Sequence, residues 1–471
     1  MPPPDWILRP MQTVSIPDLQ EGLAGRVITP ADAAYDDART VFPGGIDRRP
    51  AAIVRVASAD DVARVIALAR ETGLELAVRS GGHSGAGHGV SDGGLVIDLR
   101  KMRDLAIEVG ERTAWAETGL TTGEYTTAVA TCGLATGFGD TRSVGIGGIT
   151  LGGGVGFLVR RYGLTIDNLL AAEVVTADGQ VLRADAESHP DLFWAIRGGG
   201  GNFGVVTRFQ FRLHQLDRIL GGMLFLPATP EVIEGFVAEA DAAPDELSTI
   251  ANVMRAPPLP FVPEEQHGQL VVMAQMAYAG PPAVGEQVVA PFRALAEPLA
   301  DMLGPTRYAD VFPPDQEDVH PVAAARTLFL DEFDGSTAET ILERLEAATA
   351  PMAATQLRVL GGGMARVPAD ATAYAHRGRR IMVNVAAVHN QPEQAAGHED
   401  WAASFASVLG QGRPGAYVNF LGDEGEERVR EAYPGPTWDR LAEIKRRYDP
   451  DNLFQLNQNV RPAEGGAQPD R

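Results

Sequence analysis

The chain has 471 residues, 45% of them hydrophobic and 22% charged, a balance typical of a soluble globular protein with room for two or three domains. Its formal net charge of −22 argues against nucleic acid and anionic membrane as partners, because both reward basic patches. A single cysteine, Cys132, excludes an intramolecular disulfide and a cysteine-based metal cluster.

The segment 1–45 is Pro-rich and reads as irregular. Residues Met1 to Trp6 carry neither a basic n-region nor an apolar h-region, and no apolar run is long enough for a bilayer, which predicts a cytoplasmic protein. A β/α rhythm then begins. Residues 52–56 read as a strand, and Ser58 caps a helix whose Val62, Val65, Ile66 and Ala69 share one face. Gly73 closes that helix. Strands are predicted at 74–78, 95–99 and 113–117, and a helix at 121–131. Cys132, at the end of that helix, reads as a small buried hydrophobe. Residues 170–176 and 180–184, joined by Ala177-Asp178-Gly179, read as a hairpin. Pro190 starts a helix over 191–197, and 205–213 alternates as a strand.

The pattern changes near Gln215. Longer strands at 270–278 and 380–388 interleave with helices such as 338–348, with Pro-rich breaks at 257–263 and 313–314. A helix at 438–447 precedes the closing segment, and 463–471 reads as a disordered tail.

Glycine loops after strands let backbone N–H groups approach a phosphate closely. Three such regions occur, at 79–89, 137–156 and 198–201. The usual dinucleotide fingerprint is absent, since Gly145-Ile146-Gly147-Gly148-Ile149-Thr150 ends in Thr where a third glycine belongs. Neither lysine, Lys101 or Lys445, follows a glycine loop, so a P-loop is disfavoured as well.

These motifs carry a resemblance. Arg79-Ser80-Gly81-Gly82-His83, followed by Asp92-Gly93-Gly94-Leu95-Val96-Ile97-Asp98-Leu99, resembles the FAD-binding domain of the vanillyl-alcohol oxidase superfamily, in its bacterial berberine-bridge-enzyme-like branch. The 145–154 loop, the 191–206 stretch, Tyr417-Val418-Asn419-Phe420 and Tyr448-Asp449-Pro450-Asp451-Asn452-Leu453-Phe454 fit its later motifs in order.

The resemblance implies an α+β chain, with a two-part PCMH-type FAD domain at 46–218 and a substrate domain at 219–415 built on an antiparallel sheet with flanking helices. A C-terminal segment at 416–462 then returns to the FAD domain. It implies FAD joined at its 8α carbon to His83 alone, because Thr141 stands where doubly attached relatives carry cysteine. It assigns the cofactor to Arg79, Ser80, Gly81, Gly82, His83, Ser84, Gly87 and His88 of the first loop, and to Gly119. It adds Gly139, Asp140, Thr141, Ser143, Val144, Gly145, Gly147, Gly148, Gly153, Gly154 and Gly156 of the second. Gly204, Val205, Val206, Tyr417, Asn419, Asn457 and Asn459 complete the set, and no metal is implied. Val144 occupies the position that gates oxygen in the family, and its small size resembles the oxidases.

Removing a hydride while an O–H or N–H proton leaves requires a base beside the flavin. The resemblance makes Tyr417, in the position of the family's Tyr-x-Asn tyrosine, the first candidate, with Asn419 two residues on along a strand face, and it implies Asn384 on a substrate-domain strand that faces the flavin in relatives. His376-Arg377 reads as structural. The expected activity is an FAD oxidase acting on an alcohol, sugar or amine carbon of a small metabolite, with O2 as acceptor, in a monomer or homodimer. Oxidative cyclisation or desaturation of a natural product, and a flavin-bearing binding protein without turnover, are the alternatives.

Overall fold

The computed structural model describes residues 19–314, 319–390 and 392–464. The segment 1–18 and the tail from 465 onward therefore lie outside the described residues, but Ala463 does not belong to a tail, since its N–H donates to the Ala442 carbonyl at 3.0 Å.

The first sheet orders four strands as Arg26–Ile28, Ala52–Arg55, Leu95–Asp98 and Leu76–Arg79. The last three run parallel, while Arg26–Ile28 joins antiparallel. The N-terminal stretch is therefore not irregular throughout: it supplies an edge strand and the short helix Tyr35–Arg39. Ser58 caps helix Ala59–Thr72 by accepting from the Asp61 N–H, and Gly73 ends it at φ 68°. The apolar face of this helix, Val62, Val65, Ile66 and Ala69, is fully buried against the sheet. Asp61 is buried too, but it reaches across to accept from the Ala24, Gly25 and Ala57 amides, tying the N-terminal strand in place.

A second, antiparallel sheet orders Leu105–Glu108, Thr113–Glu117, Val205–Arg212, Leu169–Val175 and Val181–Asp185. The last two form the hairpin read at 170–184. Its core also takes Leu192, Phe193 and Trp194 of helix Pro190–Ala195, and Trp438, Leu441 and Ile444 of the C-terminal helix Pro436–Tyr448.

The third sheet is antiparallel and has eight strands. Its central run is Arg218–Pro227, Leu270–Tyr278, Leu247–Arg255, Met352–Val359, Ile381–His389 and Val322–Leu330. Helices Pro230–Ala242, Gly335–Glu346 and Ala395–Leu409 cover one face, burying Leu357, Val383 and Val385 beneath them. Alternation therefore sends Gln356, Arg358, Met382 and Asn384 to the other face.

Cys132 differs from the sequence reading, because it is exposed. The helix Thr122–Ala130 ends before it, and the chain turns at Gly133, so Cys132 falls outside the stripe buried by Tyr125 and Val129.

Candidate active site

The first glycine loop leaves strand Leu76–Arg79 and meets the second loop where Gly145 opens the short helix Ile146–Leu151. The two backbones touch. A Cβ on Gly81 would stand 2.2 Å from the Gly145 nitrogen, and one on Gly145 would stand 2.2 Å from the Gly81 nitrogen and from Ser80 Oγ. Real Cβ contacts are never that short, so both positions require glycine. Ser80 fastens the junction, accepting from the Gly147 N–H at 3.2 Å and donating to the Thr118 carbonyl at 2.5 Å. Gly148, by contrast, has nothing within 4 Å of where its side chain would be.

These loops wall a cavity of about 410 Å³, within the usual range for a cofactor site. Of the residues assigned from the sequence, it collects Arg79, Ser80, Gly81, Gly82, His83, Ser84 and His88 from the first loop. Gly139, Asp140, Thr141, Val144, Gly145, Gly147 and Gly148 come from the second, and Gly204, Val205, Val206, Tyr417, Asn419 and Asn457 from later segments. Gly87, Gly119, Ser143, Gly153, Gly154, Gly156, Asn384 and Asn459 lie outside its lining.

Several of these play other parts. Arg79 borders the cavity, but its side chain turns inward, paired with Asp98 at 3.0 Å and donating to the Ala38 carbonyl. No free cation is offered by that residue, so any anion near it meets backbone amides. A Cβ on Gly119 would stand 2.0 Å from the Leu99 carbonyl, which places this glycine behind the wall. Asn384 sits mid-sheet, opposite Gln356 and Thr327 in register, with its Oδ1 buried and unpartnered. Arg377 pairs with Asp167 at 2.7 Å, buried, as a structural reading of His376-Arg377 requires.

His83 stacks on Phe42, with ring centroids 4.1 Å apart and planes 17° apart. His88, in the same loop, is held neutral at neutral pH: burial and then the Arg48 charge lower its pKa to about 4, against a weak pull from Asp423. Arg48 also pins the loop, donating to the Gly87 and Val90 carbonyls at 2.9 and 3.0 Å.

Tyr417 is 2% exposed. It does not lie in a strand, as the sequence suggested. It caps a 3-10 turn, Val418–Phe420, with the Phe420 N–H on its own carbonyl. Asn419 thus reaches the tyrosine through the turn, and its Nδ2 donates to Tyr417 Oη at 2.9 Å. Burial pushes the phenol's pKa up, while the Asn419 donor, the Arg358 charge and the amides of Gly154 and Val155 pull it down.

The sequence reading missed part of the lining. Leu76, Val78, Leu99, Ile149, Leu151 and Leu456 give it apolar walls, suited to flat ring systems. Gly200 and Gly201 also line it, and the four-glycine run was the signal for them. Gln458 lines it while its Nε2 holds the Leu421 and Gly422 carbonyls. Arg358 had no motif to mark it; only the alternation of Gln356 and Arg358 with buried Leu357 and Val359 placed it on the cavity face.

Comparison with known proteins agrees with this geometry. Residues 50–185 match the family described as FAD binding domain, and residues 416–461 match berberine and berberine like. The chain is 31% identical to (R)-6-hydroxynicotine oxidase of Paenarthrobacter nicotinovorans, over 93% of its own length and 97% of the relative's. It is 28% identical to xylooligosaccharide oxidase of Thermothelomyces thermophilus, over 88% of each chain. The crystal structure of 6-hydroxy-D-nicotine oxidase from Arthrobacter nicotinovorans superposes with a TM-score of 0.83 at 28% identity, covering 94% of this chain and 98% of that one.

Fold and site together define a PCMH-type flavoprotein. Within that class, the chain belongs to the berberine-like FAD-linked oxidoreductases, and it is an FAD-dependent oxidase of small metabolites. The residues present fit that cofactor. Glycines whose side chains would collide let two loops close on a diphosphate, apolar walls accept the rings, and the buried Asn457 Oδ1 at the cavity edge has no protein partner.

Proposed function

We propose that this oxidase acts on a C–OH or C–N carbon of a small metabolite, with FAD joined through its 8α carbon to a ring nitrogen of His83 and with dioxygen as the final electron acceptor. Bound FAD supplies the two-electron acceptor for the substrate's hydride. The observation that carries the reading is the convergence of His83, the paired glycine loops and Tyr417 on one cavity. The two relatives support the substrate class, since one is named for 6-hydroxynicotine and the other for a xylooligosaccharide.

The chain's own groups divide the work. Phe42 fixes the plane of the His83 ring, which limits the directions from which a bond to it can form. Ser80, Gly81, Gly145 and Gly148 hold the phosphates, and Asn457 orients a polar ring edge. Tyr417 takes the O–H or N–H proton of the substrate. Val144 lines the cavity with a side chain small enough to leave room for dioxygen.

The test is acid precipitation of the purified protein. Yellow colour should stay in the pellet for the native chain and move to the supernatant, or be absent from the start, for His83→Ala. Flavin released by acid from the native protein would sink the covalent assignment. Peroxide formation on mixing with amine, alcohol and sugar panels then tests the acceptor.

A further inference from the structure

Three hydrogen-bond donors converge on one phenolic oxygen. The Gly154 N–H lies 3.1 Å from Tyr417 Oη, the Val155 N–H 3.3 Å, and Asn419 Nδ2 2.9 Å. The orientation of the Asn419 amide is set independently, because the same Nδ2 lies 3.1 Å from the Ile149 carbonyl, which only a donor can satisfy. A neutral phenol accepts two hydrogen bonds and donates one. Here three donors point at it, and among the described residues its own proton meets no acceptor. That arrangement suits an oxygen that has lost its proton.

The backbone is built to aim two of those donors. Gly154 sits at φ +77°, and a Cβ there would stand 1.9 Å from Thr165 Oγ1, so only glycine holds this turn.

A cation stands behind the donors. Among the described residues, Arg358 is the one of the segment 219–415 that lines the cavity. Its side chain is 4% exposed and every nitrogen is committed: Nη1 to the Val155 carbonyl at 2.9 Å, Nη2 to Asp140 Oδ2 at 2.5 Å, Nε to Gln356 Oε1 at 2.9 Å. Its guanidinium therefore grips the carbonyl of the residue whose N–H reaches Tyr417. It also lies 5.2 Å from the centre of the Phe420 ring, which packs edge-on against Tyr417 at 5.0 Å.

We propose that Gly154, Val155 and Asn419 form an anion hole for Tyr417 as phenolate, and that Arg358 is a positioning residue that charges this hole from the substrate sheet, with Asp140 tempering its charge. The inference rests on the reading of Tyr417 as the base. In the proton step, the substrate's O–H or N–H bond breaks and the phenolic O–H bond forms; the hydride half is the chemistry already assigned to the cofactor.

Other groups face Tyr417 and must be counted. Tyr374 packs edge-on at 6.2 Å, and its own hydroxyl, buried and unpartnered, is pushed up by burial and then by the Tyr417 charge. Behind Tyr374 lie the Arg377–Asp167 pair and His376. None of these donates to the Tyr417 oxygen, which leaves Arg358 as the cation that pulls its ionisation down. Because burial opposes that pull, the base form gathers toward alkaline pH, and kcat/KM should climb through the Tyr417 ionisation.

The experiment uses the flavin-loaded protein and a substrate from the peroxide screen. Two quantities are followed against pH: kcat/KM, and the near-ultraviolet tyrosinate band taken as the difference between each protein and its Tyr417→Phe version. In Arg358→Gln, both midpoints should move up by about one pH unit or more. Asp140→Asn should move both down, and Arg358→Lys, which keeps the charge but loses the fork, should fall between native and Arg358→Gln. Unmoved midpoints in Arg358→Gln and Asp140→Asn overturn the anion hole; if Arg358→Gln does not fold, Arg358→Lys and Asp140→Asn decide by the same criterion. Tyr417→Phe itself should lose about 10²–10⁴-fold in kcat. Near-native turnover in that variant would refute the base reading instead, so the two failures are distinguishable.

Discussion

The two walls of the cavity are made in different ways. The cofactor side is backbone: Gly81 against Gly145, Gly148 and Gly201 open to the cavity, Ser80 as the fastener. Among the described residues, the substrate side contributes a single lining residue, Arg358, a side chain mounted on a regular strand and fixed by Gln356, Asp140 and Val155. A wall of amides needs glycines at set places, whatever it binds beyond the phosphates. A wall of side chains needs only a strand in register, and its chemistry changes with one residue.

If that contrast is right, the largest effect comes from adding atoms to the backbone wall. Gly145→Val should abolish flavin loading, because its Cβ would overlap the Gly81 nitrogen and Ser80 Oγ. The overpacking alone costs about 1–3 kcal/mol, and the closed loop junction would have to open to relieve it. Gly110→Ala, outside the cavity lining and at a position where a Cβ meets nothing within 4 Å, should load flavin nearly as the native chain does. Absorbance of the purified proteins at equal concentration checks both; a fully yellow Gly145→Val would break the comparison.

The same contrast explains what could be read before the fold was known. The glycine loops were legible because close backbone approach leaves a residue-type signature at fixed spacing. Strand 270–278 was placed to the residue, and the helix from Ser58 to Gly73 carried both its caps in sequence. Tyr417 was named, but its setting was misread, since a two-residue alternation looks alike in a strand and in a short turn. Asn384 was assigned to the site by its strand, yet it lies mid-sheet beside Gln356 and Thr327, a distance that only the register of three strands reveals. Arg358 was invisible for the same reason. Its importance comes from Asp140 and Val155, more than 200 positions away along the chain.

One side-chain device lies on the backbone side and sharpens the rule. Lys445 is fully buried and spends all three hydrogens, on Asp449 Oδ2 at 2.6 Å, the Asn202 carbonyl at 2.8 Å and the Phe454 carbonyl at 2.9 Å. It thereby latches the turn that carries Asn457 and Gln458 onto the glycine run at 198–201. Lys445→Met leaves Asp449 charged and buried, with only the Leu453 and Phe454 amides for company, and should cost about 3–5 kcal/mol. Replacing both partners with apolar residues, Lys445→Met with Asp449→Leu, should recover a good part of the loss. Denaturant midpoints of the three proteins measure this. A single variant as stable as the native chain would mean that the latch contributes nothing.

The smallest expected effect is a proton count. Burial lowers His376 to about 4, with the Glu431 carbonyl opposing, and His88 is likewise at about 4. An unfolded histidine titrates near 6.5, so below that pH the unfolded chain binds protons that the folded chain refuses. Stability is therefore complete above pH ~6.5 and is lost as pH falls toward about 4, at most about 1.4 kcal/mol per pH unit for each group. His376 is 7% exposed and walled by Phe329 and Tyr374, whereas His88 borders the cavity and is better screened. His376→Gln, which keeps a donor for the Glu431 carbonyl, should flatten the acid limb of stability against pH by close to one proton, and His88→Gln by less. Chemical denaturation of these proteins in the His83→Ala background, stripped of flavin, across that range gives both slopes. Equal flattening would place His88 in surroundings as closed as those of His376, and the backbone wall would then be less open than its glycines make it; no flattening in His376→Gln would mean that burial does not hold His376 neutral.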